Sequence, residues 1–348
     1  MFKIDKFTIG SDAPVFIIAE LSANHNHSFD LAVDTIKAMS YSGANAVKVQ
    51  TYKPESLTLD LNTGFFAPRT EGLWKGYTPW DLFTEASMPY EWQPKLKEVA
   101  ESLGMIFFST PFDIEGVDFL ESIGVQLYKV ASPEINDIPL IRHIALKGKP
   151  MILSLGMAGT EDIELAIKTC RDAGNEQIVL LKCTSQYPAT VAEANLLAIP
   201  DIRERFGVPT GLSDHTMNTL VPVVAVSLGA VVVEKHFIMD RKLGGPDSAF
   251  SLEPHEFKHM VEQIREVEKS LGRIAYDLSD SDKLRRRSLF VVESIKAGEP
   301  ITHINVRSIR PGHGLHPKYF AEILNKRANQ NIEKGTPLSW NLIDLFNQ

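Results

Sequence analysis

Gly211-Leu-Ser-Asp-His-Thr216 and, further along, Glu234-Lys-His-Phe237 each set a histidine where a run of small and branched apolar residues turns polar. Between them, Leu220-Val-Pro-Val-Val-Ala-Val-Ser-Leu-Gly-Ala230 is long enough for one buried helix. Two parallel strands joined by that helix would bring His215 and His236 side by side at their carboxyl ends, the edge where parallel α/β enzymes keep their chemistry. Two imidazoles leave coordination positions open, as a Lewis-acidic cation requires, so the pair reads as a divalent metal site.

Working outward, the same unit recurs from Val15 to Leu271: a short apolar or β-branched run ends in polar residues, and a helically periodic segment follows. The expected strands are Val15–Glu20, Ala46–Gln50, Met105–Ser109, Leu127–Val130, Met151–Leu155, Ile178–Lys182, Pro209–Leu212 and Val231–Lys235. Helices are clearest over Leu31–Ser42, Pro94–Leu103, Glu161–Ala173 and Glu256–Leu271. Eight such units predict a (β/α)8 TIM barrel, spanning residues 1–275, in preference to an open doubly wound sheet. One connection is long: residues 52–89 carry Phe65, Phe66, Trp74, Tyr77, Trp80 and Phe83. That aromatic content predicts an ordered insertion, read either as a substrate lid or as a subunit contact.

Beyond the barrel, 276–287 is polar and charged and reads as a linker, and 288–348 as a small β-rich module. Within that module Ile295-Lys-Ala-Gly-Glu-Pro-Ile-Thr302 matches Ile332-Glu-Lys-Gly-Thr-Pro-Leu-Ser339 in residue type, each copy a Gly-then-Pro turn between short extended segments.

The bulk numbers fit a soluble globular protein of this size. The 348 residues are 44% hydrophobic and 23% charged, and the formal charge of −8 argues against nucleic acid and anionic membrane partners. Cys170 and Cys183 have no metal-ligand spacing, and the amino terminus shows no signal-peptide core, so a reducing cytoplasm is the expectation.

Polar residues at the strand ends form a coherent set: Glu20 and Asn24; Lys48 and Gln50; Ser109 and Thr110; Lys129, Ser132 and Glu134; Ser154; Lys182, Ser185 and Tyr187; Ser213, Asp214 and His215; Glu234, Lys235 and His236. Each alone has a plain explanation, since strand-end lysines snorkel to water and hydroxyls cap helices. Together, lysines and hydroxyls supply the charge and directed donors a phosphate needs, and Glu20 and Glu134 are available for proton transfer. The set predicts a metal-assisted reaction on a phosphorylated small molecule. Two other classes are a Schiff-base aldolase using Lys182 or Lys129, and a non-catalytic carbohydrate binder.

Ile17-Ile-Ala-Glu-Leu-Ser-Ala-Asn-His25, Val47-Lys-Val-Gln-Thr51, Phe108-Ser-Thr-Pro-Phe112, Tyr128-Lys-Val-Ala-Ser132, Gly211-Leu-Ser-Asp-His-Thr216 and Glu234-Lys-His-Phe237, in that order, resemble the sialic acid (nonulosonic acid) synthase family nearly end to end. The tail from Ser288 resembles that family's C-terminal module, similar to type III antifreeze proteins (an antifreeze-like, or SAF, domain). Gly72-Leu-Trp74, Pro89-Tyr-Glu-Trp92 and Arg307-Ser-Ile-Arg-Pro-Gly312 look most like the branch that makes pseudaminic acid. The resemblance implies condensation of phosphoenolpyruvate with an N-acylated amino sugar. It implies Mn²⁺ or Mg²⁺ on His215 and His236, and phosphoenolpyruvate on Lys48, Thr110, Lys129, Ser132, Ser154, Ser185 and Ser213. Gln50, Tyr187 and Asp247 would hold the sugar, and Glu20 and Glu134 would move protons. Arg310 would reach the partner's mouth in a homodimer. This chain departs from the pattern at Leu155, where threonine is usual, and at Pro133, where glycine or phenylalanine is usual; Ser185 stands where some members carry asparagine.

Overall fold

A computed structural model describes residues 1–344. The chain divides into two compact units, Met1–Gly272 and the stretch from Arg273 on.

The first unit opens with an antiparallel hairpin, β1 (Phe2–Ile4) and β2 (Phe7–Ile9). Eight parallel strands follow: β3 (Phe16–Glu20), β4 (Ala46–Thr51), β5 (Ile106–Pro111), β6 (Tyr128–Val130), β7 (Met151–Ser154), β8 (Ile178–Cys183), β9 (Thr210–Asp214) and β10 (Val232–His236). Each pairs with the next and β10 closes on β3, giving the barrel that the repeated strand–helix pattern predicts. Helices Phe29–Tyr41, Gln93–Ser102, Thr160–Asp172 and Pro254–Leu271 cover the four clearest helical stretches within a residue or two at most ends.

Strand alternation decides what points where. Phe16, Ile18, Ile106, Phe108, Ile152, Val179, Leu181 and Val232 fill the barrel's interior, joined by Ile4 and Ile9 of the hairpin at its amino end. Their neighbours Ile17, Val47, Phe107, Leu153, Leu180 and Val233 pack outward beneath the helices. Continuing the same count, Glu20, Lys48, Gln50, Thr110, Lys129, Ser154, Cys183, Ser213, Glu234 and His236 face the mouth. Lys182, Asp214 and Lys235 fall on the opposite phase. This corrects the reading of these three as mouth groups, and with it Lys182 as a Schiff-base candidate: its Nζ donates to the Cys183 carbonyl at 2.8 Å and to Thr184 Oγ1 at 3.3 Å. Ser109 turns outward too, bonding to the Val49 carbonyl at 3.0 Å.

The decisive β9–helix–β10 unit is built as its sequence suggests. The helix Leu220–Ser227 buries Val221, Pro222, Ala225 and Val226. Pro222 is tolerated in the first turn, whose N–H groups lack intrahelical partners in any case. Asn218 Oδ1 accepts from the amides of Leu220 and Val221 at 3.1 and 3.3 Å. Gly211 is required by packing, since a Cβ there would stand 2.4 Å from the Val232 carbonyl oxygen. On the outward phase, fully buried Lys235 pairs with Asp214 and donates to the Thr216 carbonyl, while Asp214 accepts from the Thr216 amide and hydroxyl, both at 3.0 Å. This pair ties the turn carrying His215 to β10.

Residues 52–89 are ordered around helices Pro54–Leu57 and Pro79–Ala86. Thr78 caps the second, accepting from Asp81 N at 3.0 Å. Among the described residues no helix is long and apolar enough to cross a membrane.

The second unit holds an antiparallel pair, β11 (Ser288–Val291) and β12 (Val306–Ile309). Its two sequence repeats meet: Ile295 and Ile332 form an antiparallel bridge, with N–H···O distances of 2.9 and 2.8 Å. Gly298 and Gly335 take φ of +81° and +91°, which explains the glycine in each copy. Ile301 and Leu338, equivalent in the repeat, are both fully buried. Residues 276–287, expected as a bare linker, contain a short helix, Asp280–Arg285, capped by Ser279.

Removing one partner of the Asp214–Lys235 pair strands a buried charge. Asp214→Ala is expected to cost about 3–5 kcal/mol in urea unfolding, whereas the double variant Asp214→Leu/Lys235→Met should recover most of that. A single-variant loss under about 1 kcal/mol would refute the tie.

Candidate active site

At the carboxyl ends of β9 and β10 the rings of His215 and His236 lie 5.2 Å apart, centroid to centroid. Both are buried. The Thr184 carbonyl, 2.9 Å from His215 Nδ1, can only accept, so Nδ1 carries a proton and donates to it; against the effect of burial, the hydrogen bond and charge of Cys183 raise the His215 ring from its ordinary value. Burial, reinforced by His215 and by Lys48, holds His236 neutral far below the usual histidine range. Its Nδ1 has no hydrogen-bond partner among the described residues and lies 4.0 Å from Asp247 Oδ2. Two adjacent buried imidazoles, one with an orphaned nitrogen beside a carboxylate, would fit a divalent cation once His215 gives up its Nε2 proton. Among the described residues no cluster of three His, Cys, Asp or Glu side chains forms a ready-made cage. A cation bound there would take the two histidines from the protein and its remaining ligands from elsewhere.

Beneath the histidines lies a buried charge cluster. Lys48 Nζ is 2.5 Å from Glu20 Oε2 and 3.5 Å from Glu234 Oε1, and Lys129 Nζ is 3.6 Å from the same Glu234 oxygen. Ser213 Oγ donates to Glu234 at 3.3 Å and Lys48 to Thr110 Oγ1 at 3.4 Å. Burial pushes the Glu20 carboxyl up to about 7 against the pull of Lys48, aided by the neighbouring Glu234. Burial also lowers Lys129, with Lys48 adding repulsion. Glu234, despite its burial, stays below the usual carboxylate range because Lys129 and Lys48 flank it. Sequence reading placed Glu234 at the mouth without a role; it is the counter-charge shared by both lysines.

The hydroxyls gather one strand further round. Ser132 Oγ accepts from the Gly156 amide at 3.1 Å, and Ser154 Oγ is buried without a hydrogen bond among the described residues. Gly156 makes the gathering possible. A Cβ there would lie 2.1 Å from Ser185 Oγ, 2.9 Å from Ser132 Oγ and 3.2 Å from Cys183 Sγ. Cys183 was not among the expected site residues, although the alternation Val179, Leu181, Cys183 was there to be counted. Burial alone would raise its thiol; the hydrogen bond and charge of His215 outweigh that and bring it down to about 7. Glu134, on the turn Ser132–Asn136 after β6, is raised by burial to about 7.

A cavity of about 420 Å³ opens above these groups, lined by Gln50, Ser185, Tyr187, His236 and Asp247, and by Tyr52, Leu57, Arg69, Trp74, Leu82 and Phe83 at or within the 52–89 insertion. Of the expected sugar-binding groups, Gln50 donates to Ser22 Oγ at 3.0 Å, and Ser22 in turn bonds to Asp247. Ser22 is a link the sequence did not suggest. Its φ of +48° turns the chain just after β3 so that it reaches both partners. Tyr187 stacks 4.5 Å from His215 and 4.9 Å from Phe250. Of the two readings of the insertion, Trp74, Leu82 and Phe83 bear on the cavity, while Phe65 is fully exposed. Arg310 belongs to the second unit, at the end of β12.

The raised carboxyl of Glu134 has a thermodynamic signature. Between pH 4.5 and about 7 the unfolded chain ionises it while the folded protein keeps its proton, so this group's contribution to stability falls as pH rises. Wild type is expected to lose on the order of 3 kcal/mol from this source between pH 5 and pH 8 in urea unfolding, and Glu134→Gln correspondingly less. Equal pH dependence in the two proteins would refute the shift.

Comparison with known proteins agrees with this geometry. The model of the NeuB family matches residues 35–276, and that of the SAF domain matches residues 286–344. Pseudaminic acid synthase of Campylobacter jejuni subsp. jejuni serotype O:23/36 is 42% identical over 331 residues, 94% of this chain and 96% of that protein. Pseudaminic acid synthase of Helicobacter pylori is 43% identical over 330 residues, 94% of this chain and 97% of that protein. The crystal structure of N-acetylneuraminic acid (sialic acid) synthetase from Leptospira borgpetersenii superposes with a TM-score of 0.73 at 32% identity, covering 81% of this chain and 93% of that one. Barrel, mouth and relatives point one way: the chain is an enzyme, and it belongs to the NeuB family.

Proposed function

We propose that this chain condenses phosphoenolpyruvate with the open-chain aldehyde of 2,4-diacetamido-2,4,6-trideoxy-altropyranose and water, giving pseudaminic acid and phosphate. One observation carries the reading. A pair of buried histidines, their rings 5.2 Å apart, stands beside a lysine–hydroxyl cradle, in a chain 42–43% identical to pseudaminic acid synthases.

Lys48, Thr110, Lys129, Ser132, Ser154, Ser185 and Ser213 would bind the phosphate and carboxylate of phosphoenolpyruvate. Both lysines already face carboxylates at 2.5–3.6 Å, so the incoming anion displaces internal ion pairs rather than meeting bare cations. Gln50, Tyr187 and Asp247 would orient the sugar. A divalent cation on His215 and His236, Mn²⁺ or Mg²⁺, supplies Lewis-acid polarisation of the aldehyde when bound. Carbon 3 of phosphoenolpyruvate bonds to the aldehyde carbon, and the aldehyde oxygen takes up a proton. Water adds at carbon 2 and loses a proton, and the bond from carbon 2 to the phosphate oxygen then breaks. Carboxyls raised to about 7, Glu20 and Glu134, are half protonated near neutrality and suit both proton transfers. In a homodimer, Arg310 of one subunit would contact an acyl group in the other's mouth.

Phosphate release with this sugar should be rapid, abolished by chelator and restored by Mn²⁺, and lost by at least a thousandfold in His236→Ala. Comparable turnover on N-acetylmannosamine, or on the legionaminic acid precursor, would move the assignment to a sibling synthase. Full activity after chelation would remove the metal. For the dimer, mixed Arg310→Ala and His236→Ala subunits are expected to recover part of the lost activity; no recovery after demonstrated subunit exchange would count against the shared site.

A further inference from the structure

The 52–89 insertion presents one cation unlike those below it. Lys48 and Lys129 are buried and paired with carboxylates, whereas Arg69 lines the cavity with its guanidinium 5.0 Å from the Trp74 ring and has no ion-pair partner among the described residues. It is held where it is. The Arg69 amide donates to the Tyr77 carbonyl at 2.9 Å, and the Gly76 amide donates to the Arg69 carbonyl at 2.8 Å. Trp74 is fixed in turn, its Nε1 donating to the Pro246 carbonyl at 2.9 Å, next to Asp247.

Ring contacts lead from the histidines to this arginine: His215 to Tyr187 at 4.5 Å, Tyr187 to Trp74 at 5.7 Å, and Trp74 to Arg69. A substrate with its aldehyde at the histidine pair would therefore extend its distal end toward Arg69. The cavity that Arg69 lines has an apolar share to its wall, from Leu57, Leu82 and Phe83 of the insertion with Phe112 and Met157. A sugar hydroxyl placed there would be desolvated without a partner. A carbonyl with an attached methyl suits both parts, since the guanidinium is a rigid fork of donors and the wall takes the methyl.

We propose that Arg69, with the apolar wall of Leu57, Leu82 and Phe83, is the subsite for the acylamino group of the sugar farther from the aldehyde. This rests on the function proposed above and deepens it. The acyl group assigned to Arg310 is then the other one, and the insertion is what distinguishes a diacylated sugar from a monoacylated one.

Calorimetric titration tests it on the full-length protein, with two probes: 2,4-diacetamido-2,4,6-trideoxy-altrose and the analogue bearing a hydroxyl at carbon 4. Wild type should bind the first at least about tenfold more tightly. Arg69→Met should bring the ratio to near one by weakening only the diacetamido sugar, and Arg69→Lys should fall between. Arg69 is exposed, so neither variant disturbs the core. An unchanged ratio in Arg69→Met, equal loss for both sugars, or wild-type binding of neither would overturn the subsite. Phosphate release from phosphoenolpyruvate is measured in parallel. If the ratio collapses as expected but wild type releases no phosphate, the condensation falls and the subsite stands.

Discussion

A closed parallel barrel gives its strands no solvent face, so the two-residue alternation of each strand is an all-or-none assignment between interior and helix layer. Everything at this mouth follows from that phase. Phe16 and Ile18 inside make Glu20 an interior group, and Val179 and Leu181 inside carry Cys183 with them. A slip of one residue in β10 would exchange His236 and Glu234 for Lys235 and turn the site inside out. The outward Asp214–Lys235 pair, bridging two adjacent strands beneath the helices, works against such a slip.

The mouth also shows how a buried site can be highly charged yet close to neutral. Two lysines and two carboxylates interlock through Glu20 and Glu234, and their desolvation is offset by one another and by hydroxyl donors. One partner of the lysines can change state: a carboxyl raised to about 7 can take up a proton and so release Lys48 from its pair. Glu234, pinned by both lysines, is the fixed part of the cluster, and Glu20 the adjustable part.

Much of this was legible in the sequence. The alternation of short apolar runs with helical stretches gave the barrel, and the polar residues at the ends of those runs gave most of the mouth. What failed was phase. Asp214 and Lys235 sit beside the two histidines in sequence, and composition alone cannot tell an inward lysine from an outward one; only counting from a known interior residue does. Lys182 failed for the same reason. Ser22 was hidden because a positive φ in a short loop leaves no periodic trace, and Gly156 because its value lies in three side chains brought there by two other strands. The repeat in the second unit was visible as a pattern, but that its two copies pair with each other was not. The aromatic insertion announced order without saying which of its rings would face the cavity.

The hairpin at the start of the chain has a consequence of its own. Ile4 and Ile9 pack with Phe16 and Ile18 in one apolar cluster, so the hairpin closes the amino end of the barrel with side chains that carry no chemistry. The two ends of the barrel are thereby divided by role: a hydrocarbon plug at one, and at the other the charged and hydroxyl-bearing groups with the cavity that Trp74 and Phe83 line. A substitution in the hairpin would therefore register in stability, and one at the cavity in chemistry.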